Sequence, residues 1–151
     1  MIITIARQCG CGAVHVGKLL AEHYGIPFYT RKTLMDMARE HGVLDEMESF
    51  FDERPVDELL FAMSSLGEPQ KALTEKPIQV LTDMIGQENC IIIGRCGNYI
   101  FRDRKDLVSV FLKGNLEERI ANIRHEEGLG RLEAEEFVEH ADDCRIAYLK
   151  Y

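Results

Sequence analysis

A chain of 151 residues, 46% of them hydrophobic and 29% charged, carries enough apolar side chain for one globular core. Its net charge of −8, from 18 basic and 26 acidic residues, argues against a nucleic-acid polymer as partner, which needs a broad basic face, but leaves room for a local basic pocket. No apolar run reaches the roughly 18–20 residues of a membrane span, no charged-then-apolar leader precedes the first strand pattern, and five cysteines fit reduced thiols better than a disulfide framework, so a cytoplasmic protein is expected.

The first pattern, Ile2 to Ala6, is apolar nearly throughout, as in a parallel strand buried on both faces. A loop of small residues follows, Arg7-Gln8-Cys9-Gly10-Cys11-Gly12, and then a helix from Ala13 to Tyr24. Val16, Leu20 and Tyr24, with Ala13, Gly17 and Leu19 beside them, make its core stripe; His15, Lys18 and Glu22 take the other face, and Gly25 ends it. Ile26 to Tyr29 reads as a second strand with Pro27 near its start, and a helix from Thr30 or Arg31 to His41 stops at Gly42. The acidic stretch from Val43 to Lys76 is helical in composition as far as Leu66 and reads as a substrate-side flap or a dimer surface; a further helix runs from Pro77 to Gln87. Cys90-Ile91-Ile92-Ile93-Gly94 is the clearest buried strand, a helical turn is expected at Asn98–Phe101, and Leu107 to Leu112 forms another strand. Asn115 caps a helix over Leu116–Glu127, Gly128-Leu129-Gly130 breaks the chain, and a last helix starts near Leu132. Strands alternating with helices predict an α/β fold, a parallel sheet with helices on both faces, and a ligand at the carboxyl ends of its strands.

The opening strand, glycine loop and helix form the arrangement that holds phosphate: the loop lets backbone approach an anion and the helix start points N–H groups at it. Two registers compete. Gly12-x-x-x-x-Gly17-Lys18 has the spacing of a phosphate loop with its lysine, but would start the helix near Gly17, leave it about two turns long and break the stripe through Ala13, Val16 and Leu20. The register preferred here ends the loop at Gly12, puts Ala13 and Val14 at the lysine and hydroxyl positions, and turns Lys18 to solvent.

With that register, the chain resembles the cytidylate kinase-like proteins, relatives of the nucleoside monophosphate kinases with the three-layer P-loop fold. The resemblance lies in Ile2 to Gly12, Gly17 to Ala21, Gly25 to Tyr29, Ile91 to Ile100, Val108 to Leu112 with Glu117-Glu118-Arg119, and Asp143-Cys144-Arg145 with Tyr148. It implies one domain over 1–151 with a helical lid over about 115–151, a fifth strand beyond the last helix, and ATP with Mg2+ as phosphate donor to a nucleoside monophosphate such as CMP. It also implies that the phosphates meet the loop at Gly10, Cys11, Gly12, Ala13 and Val14. By the same resemblance, Arg95 faces the acceptor, unless it forms a surface ion pair. Arg124, Arg131 and Arg145 belong to the lid, either on phosphate or on a solvated face paired with Glu126, Glu127 or Asp142. Arg7, at the first loop position, either stands in for the missing lysine or pairs with a carboxylate.

The departures bear on chemistry. Ala13 and Val14 lack the lysine and hydroxyl, Ile92-Ile93 stands where many relatives carry an acid for magnesium, Thr30 replaces an Asp, and Cys96 replaces the acid after Gly94-Arg95. An alternative is therefore a non-catalytic nucleotide module that binds through backbone amides. A third reading takes Cys9, Cys11 and Cys96 as a zinc or redox site, with the helix start favouring thiolate; the plainer reading treats them as small residues in place of serine or glycine.

Overall fold

The computed structural model describes residues 1–45, 79–94 and 97–149. The expectations for 46–78, for Arg95 and Cys96, and for anything after 149 lie outside the described residues. In chain order the elements are β1 (Ile2–Arg7), α1 (Ala13–Tyr24), β2 (Phe28–Tyr29), α2 (Arg31–Glu40), α3 (described over 79–85), β3 (Cys90–Ile93), α4 (Gly97–Ile100), β4 (Leu107–Leu112), α5 (Leu116–Glu127) and α6 (Arg131–Leu149). Pro27 lies outside the second strand, which is shorter than the pattern suggested, and the turn after Gly94 begins at Gly97.

The four described strands lie in the order β2-β3-β1-β4, all parallel. β1 pairs with β3 from Ile2↔Cys90 to Ile5↔Ile93 and with β4 from Ile2↔Leu107 to Arg7↔Leu112. Alternation then divides the apolar run between two cores. Ile2, Cys90 and Ile92 pack with Leu34 and Ala38 of α2, Leu81 and Ile85 of α3, and Phe101. Ile3, Ile5, Ile91 and Ile93 pack on the opposite face against Ala13 and Leu20 of α1. This two-sided burial, which contributes about 1.5–3 kcal/mol for each enclosed isoleucine or leucine, is why the strands read as continuous apolar runs.

The register preferred from sequence holds: α1 begins at Ala13, with Gly12 before it at φ 67, and ends on Gly25 at φ 63. Gly17 belongs to the packing, not to a phosphate loop. It is buried, and a Cβ there would run into the Phe28 ring of β2. Lys18 is exposed, as expected. The stripe is narrower than periodicity suggested, since Leu19 and Tyr24 are half exposed (52% and 50%). Thr30 has a structural use. It caps α2 by accepting from the Thr33 amide (3.3 Å), while the Thr33 hydroxyl accepts from the Thr30 amide (2.7 Å).

At the other end of the sheet, Asp106 is gripped by Arg104 (2.9 and 2.7 Å) and by the Met1 amine (2.6 Å), while Arg104 also donates to the Gly86 carbonyl (3.2 Å). The hydrogen bonds from Arg104, then that from the Met1 amine, hold the Asp106 carboxyl well below the usual carboxylate range.

Two outcomes are expected. Gly17→Ala should destabilise by roughly 1 kcal/mol or more in urea melts, because the clash with Phe28 outweighs alanine's better helix propensity. In a Phe28→Ala background, where the clash is gone, the same change should stabilise. A depressed carboxyl value contributes stability that is fully present above the unfolded-state value of about 4 and is lost as pH falls through the folded value. Asp106→Asn should therefore lower the urea midpoint at neutral pH and flatten its decline in acid.

Candidate functional site

β1, β3 and β4 end side by side, and the segment Gln8–Gly12 leaves β1 between the other two. Its path is set by contacts to both neighbours. The Gln8 amide donates to Leu112 O (3.0 Å) and the Gln8 side-chain oxygen accepts from the Gly114 amide (3.2 Å), tying the loop to the end of β4. On the β3 side, the Gly94 amide donates to Ile5 O (2.8 Å), and the Arg7 guanidinium lies directly against the Gly94 Cα. Gly94, at φ 74, has no room for a side chain because Arg7 occupies that space. Arg7 is thus laid across the carboxyl edge of the sheet.

Two left-handed turns, Gly10 at φ 75 and Gly12 at φ 67, reverse the loop into α1. No described residue accepts a hydrogen bond from the amides of Gly10, Cys11, Gly12, Ala13 or Val14; the first amide of α1 to be paired is Val16, on Gly12 O (3.1 Å). Successive N–H groups at a glycine turn and a helix start fit a phosphate chain. The side chains beside them carry no charge: Ala13 is buried in the sheet core and Val14 is 46% exposed.

The far wall of the loop is α5 and α6. Cys9 is 3% exposed and packs with Ile120, Ile123, Ala134 and Val138 of the two helices. Arg119 of α5, itself 6% exposed, donates through one terminal nitrogen to Cys9 O (3.1 Å) and to Asp142 Oδ2 of α6 (2.6 Å), while Asp142 Oδ1 accepts from the Cys9 amide (2.6 Å). Asn122 donates to Gly10 O (2.8 Å). The fit is close enough that a Cβ on Gly10 would stand 2.5 Å from Arg119 O. Among the described residues, Arg119 Nε and one terminal nitrogen of Arg145 are buried without a hydrogen-bond partner.

The expected arginines separate. Arg145 is half-buried on α6 and reaches the Cys9 thiol. Arg131, exposed, pairs with Glu117 (2.9 Å), joining the starts of α6 and α5. Arg124 is exposed on α5. Arg7 and the amides from Gly10 to Val14 gather at the loop; Arg95 is outside the described residues. Arg119 was not singled out by sequence reasoning as a site residue. A signal was available: Arg119 sits four residues before buried Ile123, and Asp142 four after buried Val138, so each charge falls in line with a buried apolar stripe and calls for a partner.

The surroundings of Cys9 and Cys11 disfavour the thiolate of the third reading; Cys96 lies outside the described residues. Burial raises the Cys9 thiol, offset only in part by Arg145, and burial likewise raises Cys11. Desolvation of the charged form outweighs the nearby guanidinium groups. Among the described residues, no group of three His, Cys, Asp or Glu side chains is placed to hold a metal ion. No helix among them is long and apolar enough to cross a membrane.

The family model for cytidylate kinase-like proteins matches residues 2–151. No curated protein matches the chain. Of solved structures, an uncharacterized protein from Eubacterium ventriosum superposes with a TM-score of 0.72 at 25% identity, covering 99% of this chain and 78% of that one. TT1252 from Thermus thermophilus gives a TM-score of 0.52 at 19% identity, over 89% and 76% of the two chains. A gluconokinase from Sinorhizobium meliloti gives 0.47 at 16% identity, over 99% and 94%.

Both glycines of the loop are left-handed, but only Gly10 abuts backbone; nothing lies within 4 Å of a Cβ at Gly12. Gly12→Ala should cost about 1–2 kcal/mol, the strain of the left-handed backbone, and Gly10→Ala distinctly more, since Arg119 O cannot swing aside. Urea denaturation of the two variants side by side measures the difference.

Proposed function

Because the chain belongs to the cytidylate kinase-like family, we propose that it is an ATP-dependent phosphotransferase acting on a nucleoside monophosphate, CMP or a close analogue. The observation that carries this reading is Arg7 laid over Gly94, beside a loop whose amides from Gly10 to Val14 donate to no described partner. Phosphoryl transfer asks a protein mainly for positioning and for positive charge around the transferring group. The amides hold the donor's phosphate chain. Arg7, approaching from the β3 side, supplies the charge that Ala13 lacks, in a planar fork suited to phosphate oxygens. On this reading Arg95, next in the chain after Gly94, faces the acceptor, and Arg145 and Arg124 supply lid charge.

Among the described residues, the loop and the end of β3 do not offer a donor set that fits a magnesium ion. Val14 offers no hydroxyl, and β3 ends on buried Ile93 where a carboxylate would be needed. That observation favours a second reading, in which the loop binds nucleotide phosphate and transfer is absent.

A turnover assay with ATP and a panel of nucleoside monophosphates separates the two. ADP should form with CMP or a related acceptor, and Arg7→Ala should lower kcat/KM by roughly 10–100-fold, the loss expected for a charge-assisted hydrogen bond, with Arg7→Lys recovering part of it. Absence of turnover with every acceptor, together with a rise in Tm on adding ATP, would leave only the binding module. No effect of ATP on Tm would remove both.

A further inference from the structure

Contacts to β4 hold the start of the loop on its sheet side; on its helix side the hold falls to a residue more than a hundred positions away. We propose that Asp142 is a positioning residue for the phosphate loop: its two oxygens hold the Cys9 amide and the Arg119 guanidinium, and so make α5 and α6 a fixed buttress of the loop. This rests on the nucleotide reading above for its functional consequence, but not for its structural content.

Four observations converge on it. Asp142 Oδ1 takes the Cys9 amide at 2.6 Å and Oδ2 takes Arg119 at 2.6 Å, so one carboxylate spans loop and α5 from α6. Arg119 closes the ring by donating to Cys9 O at 3.1 Å, which leaves both main-chain polar groups of Cys9 committed to this pair. The ion pair is buried, with side-chain exposures of 7% and 15%, where charge-assisted hydrogen bonds are strong and an unpaired partner is costly. Cys9 itself packs in the apolar cluster between α5 and α6, and Gly10 O is tied by Asn122 to the same helix. The loop therefore moves only if it leaves the helix pair. The amides of Gly10 to Val14 come directly after this anchored point, and their direction follows from it. A cradle held in its binding geometry before the ligand arrives binds more tightly than one ordered by the ligand.

A purely structural ion pair would, when broken, loosen the whole protein; a positioning pair loosens the loop. Asp142→Asn and the double variant Arg119→Met with Asp142→Leu test the difference. The second removes both charges, so neither half of the ion pair is left buried alone, and it is expected to fold even where the single variant does not. Amide hydrogen exchange followed by NMR reads the loop, and calorimetry reads ATP affinity. In both variants the Cys9 amide should exchange at least about tenfold faster, while Ile3 and Ile5 of β1 keep their protection in the double variant. The Kd for ATP should rise about tenfold or more, the scale of one lost hydrogen bond to a charged group. Unchanged Cys9 exchange, or a uniform loss of protection across β1 in the double variant, would overturn the positioning role. So would a loosened loop with unchanged ATP affinity. Failure of the wild-type protein to bind ATP would overturn the nucleotide reading and the functional consequence drawn from it, and the exchange arm would still decide whether Asp142 anchors the loop.

Discussion

Parallel pairing of β1 on both edges, with both of its faces covered, is the constraint from which the rest follows. A buried strand must satisfy its backbone donors and acceptors in the ladder, and β1 does so by lying between β3 and β4. Because the pairing is parallel, all three strands end on the same side. The chain leaving β1 at Gln8 is thereby forced into the space between Gly94 and Gly114, and the carboxyl edge of the sheet becomes the place where segments distant in sequence meet. Arg7 against Gly94 and Gln8 against Gly114 are consequences of that convergence.

The loop has two kinds of support. Toward the sheet it is held by main-chain hydrogen bonds and by the absence of a side chain at Gly94. Toward α5 and α6 it is held by a buried charge pair and by an apolar side chain, Cys9, which belongs to the helices' core and not to the sheet's. The Cys9 backbone is committed to Arg119 and Asp142, and the amides that follow it donate to no described partner. The same division explains the thiols. Cys9 serves as a small buried group, and desolvation keeps its proton on despite the arginines around it.

Much of the fold was legible because local and global preferences agree. Leu116–Glu127 is bounded by Asn115, whose side chain accepts from the amides of Glu117 and Glu118, and by left-handed Gly128, and both signals act within a few residues. The loop register was legible for the same reason: helix periodicity turns Lys18 to solvent and leaves Gly12 as the last residue of the loop. Gly17 was legible only as something small; that it makes room for Phe28 depends on two elements meeting. Around the loop, the glycines and Arg7 stand out in the sequence, whereas the pairing of Arg119 with Asp142 does not, because it spans 23 residues and two helices. Helical spacing marks each as a charge that calls for a partner but does not say which partner.

Sequence alone was enough to determine most of the described elements, their parallel arrangement and the lysine-free glycine loop, since periodicity, turn glycines and capping residues act over a few positions. Tertiary structure alone decided what stands around that loop. Whether a cationic side chain faces solvent, a phosphate or a buried carboxylate depends on the burial and distance of groups far away in the chain. Here those placed Arg131 on exposed Glu117, Arg145 at the Cys9 thiol and Arg119 on Asp142.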